Sequence, residues 1–212
     1  YRMIAVSCLS IVIAGYFWIS QEYVLFNKEN DQLRRAYVES QKQMIQTEVD
    51  KVVDYVNYMR SLRETRLKKS ITDRVYEAHA IATSLYDQYG GKKSDQEVGE
   101  MIVEALRPIR FNNGNGYYFA TTLKGKEVLF ADRPEFEGRN MLDFRDSKGK
   151  YIIREMIDIV KTSREGFCEY SWTMPGKTGN NYPKTAYVKL FEPLGWFIGT
   201  GEYFDDVEHD IK

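Results

Sequence analysis

Between residues 116 and 203, short aromatic and apolar runs alternate with turn residues, and no other feature narrows the possible folds as far. The stretch opens on Gly116, Tyr117, Tyr118 and Phe119 and closes on Trp196, Phe197, Ile198, Gly199, Thr200, Gly201, Glu202 and Tyr203. Turn signals fall between, at Gly125, at Pro175 with Gly176, and at Pro193 with Gly195. Runs rich in Tyr, Phe, Val and Trp that are punctuated by Gly or Pro predict an antiparallel sheet. Hairpin-length turns favour a connected meander over parallel crossovers. One interruption, residues 146–163, carries helical spacing and is expected to lie across the sheet. A curved sheet with a covering segment makes a cup.

The 212 residues suffice for one or two domains with a sizeable core. The net charge of −1, with acids and bases interspersed, lacks the basic field that nucleic-acid binding needs. The two cysteines, Cys8 and Cys168, form neither a disulfide framework nor a zinc site.

Residues 3–20 carry no charge, near the lower limit for a helix that spans a bilayer. Arg2 precedes them, and Tyr16 and Trp18 lie towards the far end, which orients the N-terminus to the cytoplasm and the rest of the chain outside. A cleaved signal peptide and a buried core helix are the competing readings. The absence of a small-residue cleavage site argues against the first, and the lack of a polar face against the second. Residues 30–89 are charged and free of Pro and Gly. Their apolar positions Ile45, Val49, Val52, Val56 and Met59, then Leu67, Ile71, Val75, Ala78, Ala82 and Leu85, step by three and four as a helix with one buried seam requires. Gly90 and Gly91 end that helix. Ser94 with Glu97 has capping-box spacing and starts another, which runs to Leu106 before Pro108.

From Gly116 onward the strings NNGNGYYFATTLKGKEVLFADRPEFEGRNMLDFRD, EGFCEYSWTMPGK and YPKTAYVKLFEPLGWFIGTGEYFDDVE resemble the single-Cache family of bacterial extracellular sensors. The resemblance covers about residues 75–211. It implies an α+β fold, a long N-terminal helix packed on a PAS-like antiparallel sheet, preceded by a transmembrane helix. It also implies a domain held outside the cell membrane, ahead of a histidine kinase, chemotaxis transducer or diguanylate cyclase, that binds a small organic acid or similar metabolite. The expected organisation is an anchor at 1–22, a helical stalk at 23–66, a Cache sensor domain at 67–205, and at 206–212 the start of an exit helix towards a second span. The chain departs from the family where a His-Pro pair often follows the second strand, since Ala131 and Asp132 stand at the corresponding positions. That change weakens the case for a simple monocarboxylate and leaves room for a larger or partly cationic ligand.

Lys184 opens the strand 184–190 within the family's Pro-Lys-x-x-Tyr motif, Pro183 to Tyr187. An ammonium at the mouth of a cup suits an anionic ligand, and an exposed strand lysine is the blander alternative. Tyr187 offers a ring wall with a polar tip, or is a half-buried sheet tyrosine. Trp172 shares a strand face with Tyr170 and Cys168 by alternation, as pocket wall or as core. Tyr117 and Phe119 share one face of the first strand and Tyr118 the other. Because the sequence leaves the cup's face open, both tyrosines are candidates. Phe130 and Asp132 share a face of the second strand, where Asp132 meets a ligand ammonium or pairs at the surface with Arg133 or Arg139. Arg110 clamps a carboxylate bidentately or ties helix to sheet. Cys168 is expected to be a buried, inert thiol. His79 and His209 have no partner at ligand spacing, so no metal or cofactor is expected.

The expected function is therefore an extracytoplasmic ligand-binding sensory domain of a bacterial membrane receptor. It would act as a homodimer, bind a small anionic or zwitterionic metabolite, and relay a helix displacement across the membrane. A ligandless dimerisation or spacer module is the alternative. An extracytoplasmic enzyme is a weaker one, resting on loop acids such as Glu135 and Glu137 with no Ser/His/Asp set and no phosphate cradle.

Overall fold

The computed structural model describes residues 2–174 and 176–203, with residues 2–8 and 10 described by their backbone alone. The chain divides into two units, 1–60 and 61–212. The described part of the first unit belongs to helix α1, Arg2–Tyr89. Ile45, Val49, Val52 and Val56 are exposed there, so this part of the expected seam is not buried within the single chain. Among the described residues no helix is long and apolar enough to cross a membrane. The stretch 3–20 belongs to α1, but most of its first residues lie outside those with described side chains. The expected exit helix and His209 lie outside the described residues altogether.

In the second unit the rest of α1 packs on a sheet. Leu67, Ile71, Val75, Ala78 and Ala82 are all buried, as their spacing predicts. Helix α2, Asp95–Leu106, begins at Ser94, whose side chain accepts from the Glu97 backbone N–H while Glu97 accepts from that of Ser94. Two orphan donors of the first turn are thereby satisfied. Val98, Ile102 and Leu106 bury its apolar face, and Gly99 lies against the Trp196 ring where a Cβ would stand 2.8 Å from it.

The sheet has five antiparallel strands: β1 (Tyr118–Thr122), β2 (Glu127–Phe130), β3 (Glu165–Trp172), β4 (Tyr182–Phe191) and β5 (Trp196–Tyr203). Their order is β2-β1-β5-β4-β3. The hairpins β1–β2 and β3–β4–β5 follow the turn signals, but β1 pairs with β5, so the expected simple meander is two meanders joined edge to edge. Joining the two pieces covers backbone groups that either would otherwise leave open at an edge.

Helix α3 (Ile152–Ser163) connects β2 to β3 and covers the sheet face opposite α1, burying Ile152, Ile153, Met156, Ile157 and Val160. It starts later than the spacing at 146 predicts. Residues 146–151 form a loop around the Asp146 carboxylate, which accepts from the backbone N–H groups of Lys148 (2.9 Å), Lys150 (2.8 Å) and Ser171 (3.1 Å). An aspartate that binds nearby backbone donors competes with the helix ladder, and Gly149, at φ +83°, completes the turn.

Candidate ligand-binding hollow

Strand alternation sends half of each strand's side chains towards α1 and half towards α3. Tyr118 and Tyr187 go to the α1 side. The Tyr118 hydroxyl donates to the Arg74 carbonyl at 3.1 Å, and Tyr187 packs with Leu67, Ile71 and Val75. Both tyrosines thus join helix to sheet. Tyr117, Phe119, Phe130, Tyr170 and Trp172 go to the other side, as does Cys168, whose thiol is pushed up to about 12 by burial and by nearby Glu155.

On that side a hollow of about 30 Å³ lies between sheet and α3. Its walls are Phe119, Phe130, Phe144, Trp172, Met141, Met156, Ile152 and Ile153, with Glu127 and Tyr170. The rings interlock: Phe144 and Phe130 stand 5.1 and 5.8 Å from Trp172, centre to centre. The space holds roughly two waters, so a larger ligand enters only if the walls repack, which the two methionines favour.

Three polar groups decide the chemistry of this region. Trp172 is only 8% exposed, and its Nε1–H has no hydrogen-bond partner. Lys184 is 2% exposed and does not stand at a mouth. Its Nζ donates to the Tyr117 hydroxyl at 2.9 Å and the Tyr203 hydroxyl at 3.2 Å, and lies 4.2 and 4.6 Å from the two ring centres. A desolvated ammonium over two ring faces gains cation–π attraction. Gly201 makes room for the stem, since a Cβ there would stand 3.0 Å from Lys184 Cε. Tyr117 in turn contacts Phe130, ring centres 5.8 Å apart, so the ammonium lies one ring behind the hollow's wall.

The third group, Glu127, is one that sequence reasoning missed. It is 4% exposed, and the Thr121 hydroxyl lies 3.1 and 3.0 Å from its two oxygens. Burial pushes its carboxyl up to about 8, against the Thr121 hydrogen bond and with help from the Glu137 charge. Alternation from Phe130 would send Glu127 to the α1 side. The β1–β2 register, however, shifts between Ala120 and Thr121, so that Ala120 faces Leu129 and Thr121 faces Glu127. The skipped Val128 is a bulge, which reverses the side on which the preceding residue falls.

The remaining candidates lie elsewhere. Exposed Arg110 donates to the carbonyls of Arg107 (2.6 Å), Ile109 (2.9 Å) and Ala131 (2.8 Å), which ties the α2–β1 connection to the end of β2. Asp132 follows β2, half-buried, close enough to Tyr117 to act on its titration; Arg133 pairs with Glu135 rather than with Asp132. Glu137 accepts both Arg107 amino groups, at 2.8 and 2.9 Å, and the Phe130 N–H at 2.8 Å. Although burial pushes Glu137 up, those bonds hold it below the usual carboxylate range. Neither Glu135 nor Glu137 lines the hollow. His79 hydrogen-bonds the Leu190 carbonyl at 3.0 Å and meets the Phe191 ring edge-on.

Residues 22–212 match the Cache domain family dCache_2. The methyl-accepting chemotaxis protein McpP of Pseudomonas putida is 28% identical over 57% of this chain and 22% of its own length. The sensor histidine kinase MctS of Rhizobium johnstonii is 32% identical over 60% of this chain and 26% of its own length. The chain thus spans about a quarter of the length of these curated relatives. A solved Cache chemosensory domain, described as a structural basis for carboxylic acid recognition, superposes with a TM-score of 0.63 at 25% identity, covering 69% of this chain and 98% of that one. With its long helix, its five-stranded sheet and a family match over nearly its whole length, the chain belongs to the Cache family of sensor domains.

Proposed function

We propose that the chain is the extracytoplasmic ligand-binding domain of a bacterial transmembrane receptor and takes a small anionic or zwitterionic metabolite into the hollow behind α3. The observation that carries this reading is the Trp172 Nε1–H, a buried donor without a partner in the wall of a mostly apolar space. Leaving such a donor unmet costs about 1–3 kcal/mol, and a carboxylate oxygen would meet it. The Lys184 ammonium, one ring away, gives the region the charge an anion favours. The likeness to a carboxylic acid-binding Cache domain supports the same class. Ligand entry would part α3 from the sheet and press the sheet's other face on residues 67–82 of α1, the route by which a displacement would reach the membrane. Residues 1–22 would anchor the chain, the domain would lie in the periplasm, and a kinase, cyclase or chemotaxis module would follow. A second copy of the chain would cover the exposed steps at Ile45, Val49, Val52 and Val56.

The small volume of the hollow favours a second reading, a packed spacer that binds nothing. Thermal melting of the 212-residue chain with a panel of short carboxylates and amino acids separates the two, because a ligand of the native state raises the melting temperature. A gain is expected from at least one compound, and Trp172→Phe, which keeps a ring but loses the donor, is expected to lose most of it. The same gain in the variant would refute the role of Trp172, and no gain from any compound would favour the spacer.

A further inference from the structure

We propose that Glu127 is the ammonium-binding end of the hollow, so that the ligand is a small zwitterion whose amine docks on Glu127 while its carboxylate accepts from Trp172. This rests on the hollow being a ligand site, as proposed above. The argument begins with hydrogen-bond capacity. Once ionised, Glu127 offers about four lone-pair sites, and the Thr121 hydroxyl, close to both oxygens, has one hydrogen to give. Among the described residues no ion pair reaches Glu127. An acceptor-rich group therefore faces the same space as Trp172, a donor without an acceptor. A ligand that complements both must carry a donor at one end and an acceptor at the other, which a primary amine and a carboxylate supply. The walls between them suit a cation, because Phe119, Phe130, Phe144 and Trp172 present rings to it.

The groups that face Glu127 leave it the means to ionise only when a cation arrives. Thr121 of β1 gives a neutral hydroxyl, Tyr170 of β3 a phenol that burial raises well above its usual range, and α3 only Ile152, Ile153 and Met156. Glu137, in the turn after β2, is the charged neighbour, and its sign discourages a second anion. With an empty hollow Glu127 holds its proton at neutral pH. A docking ammonium replaces that proton, which passes to solvent, and the carboxylate and ammonium form the ion pair.

Calorimetric titration of the full chain at pH 6.5 in two buffers of different ionisation heat counts the proton directly, with glycine, β-alanine, propionate and ethylammonium as probes. Glycine or β-alanine is expected to bind at least tenfold tighter than propionate and to release close to one proton per ligand. Glu127→Gln, which keeps the shape of the side chain, is expected to bring the amino acid down to the level of propionate and to abolish the release. Equal binding of propionate and the amino acids without proton release would overturn the role of Glu127 and leave the hollow standing as a carboxylate site. Failure of every probe to bind would overturn both. The proton count needs only the unsubstituted chain, so the inference stays testable should the variant fold poorly.

Discussion

Replacing Glu127 by glutamine should make the protein more stable at pH 8 than at pH 5 relative to the parent chain, and the size of the effect follows from the burial of one carboxyl. In the unfolded chain Glu127 titrates near its ordinary 4.5, whereas in the fold burial pushes it up to about 8. Below pH 4.5 the group is protonated in both states and contributes nothing to the pH dependence. Between 4.5 and 8 the native state holds a proton that the unfolded state has lost, so stability falls as pH rises, and it levels off above 8. One pH unit is worth about 1.4 kcal/mol, which makes the fall from pH 5 to pH 7 roughly 2–3 kcal/mol. For a chain of this size that is a melting-temperature difference on the order of 5–10 °C. His79 titrates in the same interval with the opposite sign. Burial holds it below its ordinary value, so stability gained through it rises with pH up to about its unfolded value. The comparison of parent with Glu127→Gln removes the His79 contribution, which both proteins share. The assay is urea or thermal unfolding of both proteins from pH 5 to pH 8, read as the difference between their curves. Parallel curves would mean that Glu127 is ionised and hydrated in the fold, and the reasoning about the hollow's polarity would fail.

Gly201→Ala should cost about 1–3 kcal/mol, because the added Cβ would meet the Thr185 carbonyl oxygen at 2.7 Å and the Ala186 Cα at 3.0 Å, neither of which can step aside. Chemical denaturation checks it, and a change below about 0.5 kcal/mol would show that β4 and β5 yield more than this register implies. Cys168 should react with a disulfide reagent at pH 8 at least about 100-fold more slowly in the native chain than in the unfolded one, since burial and the Glu155 charge push its thiol up to about 12. Labelling at comparable rates would place the thiol at the surface.

Periodicity read well for residues 67–82 of α1 and along the strands, though not for the exposed steps from Ile45 to Val56. Leu67, Ile71, Val75, Ala78 and Ala82 are buried because the helix repeat brings them to one face. Tyr117 and Tyr118 part to opposite faces, and Cys168, Tyr170 and Trp172 stay together, because the strand repeat is two. The Ser94 cap was legible because both of its partners lie within one turn. Glu127 was not, since the bulge at Val128 belongs to the pairing of two strands and leaves no mark on the residues of one. Lys184 was expected at the mouth of a cup, with an exposed strand lysine as the blander alternative, yet it is buried. The approach of Tyr117 and Tyr203, and the space left by a side-chain-free Gly201, help to bury an ammonium there.

What the sequence alone determined is therefore local: a long helix, a capped second helix, aromatic strands with their turns, and through its motifs the Cache family. Which strand lies beside which, where α3 begins, and which polar groups share a hollow were decided by tertiary structure. Each depends on atoms far apart in the chain that meet only when β1 closes against β5 and α3 covers the face they make. The apolar pattern selects a face to bury, but whether a buried carboxyl, indole and ammonium find partners depends on the register and depth of their neighbours, which no single stretch encodes.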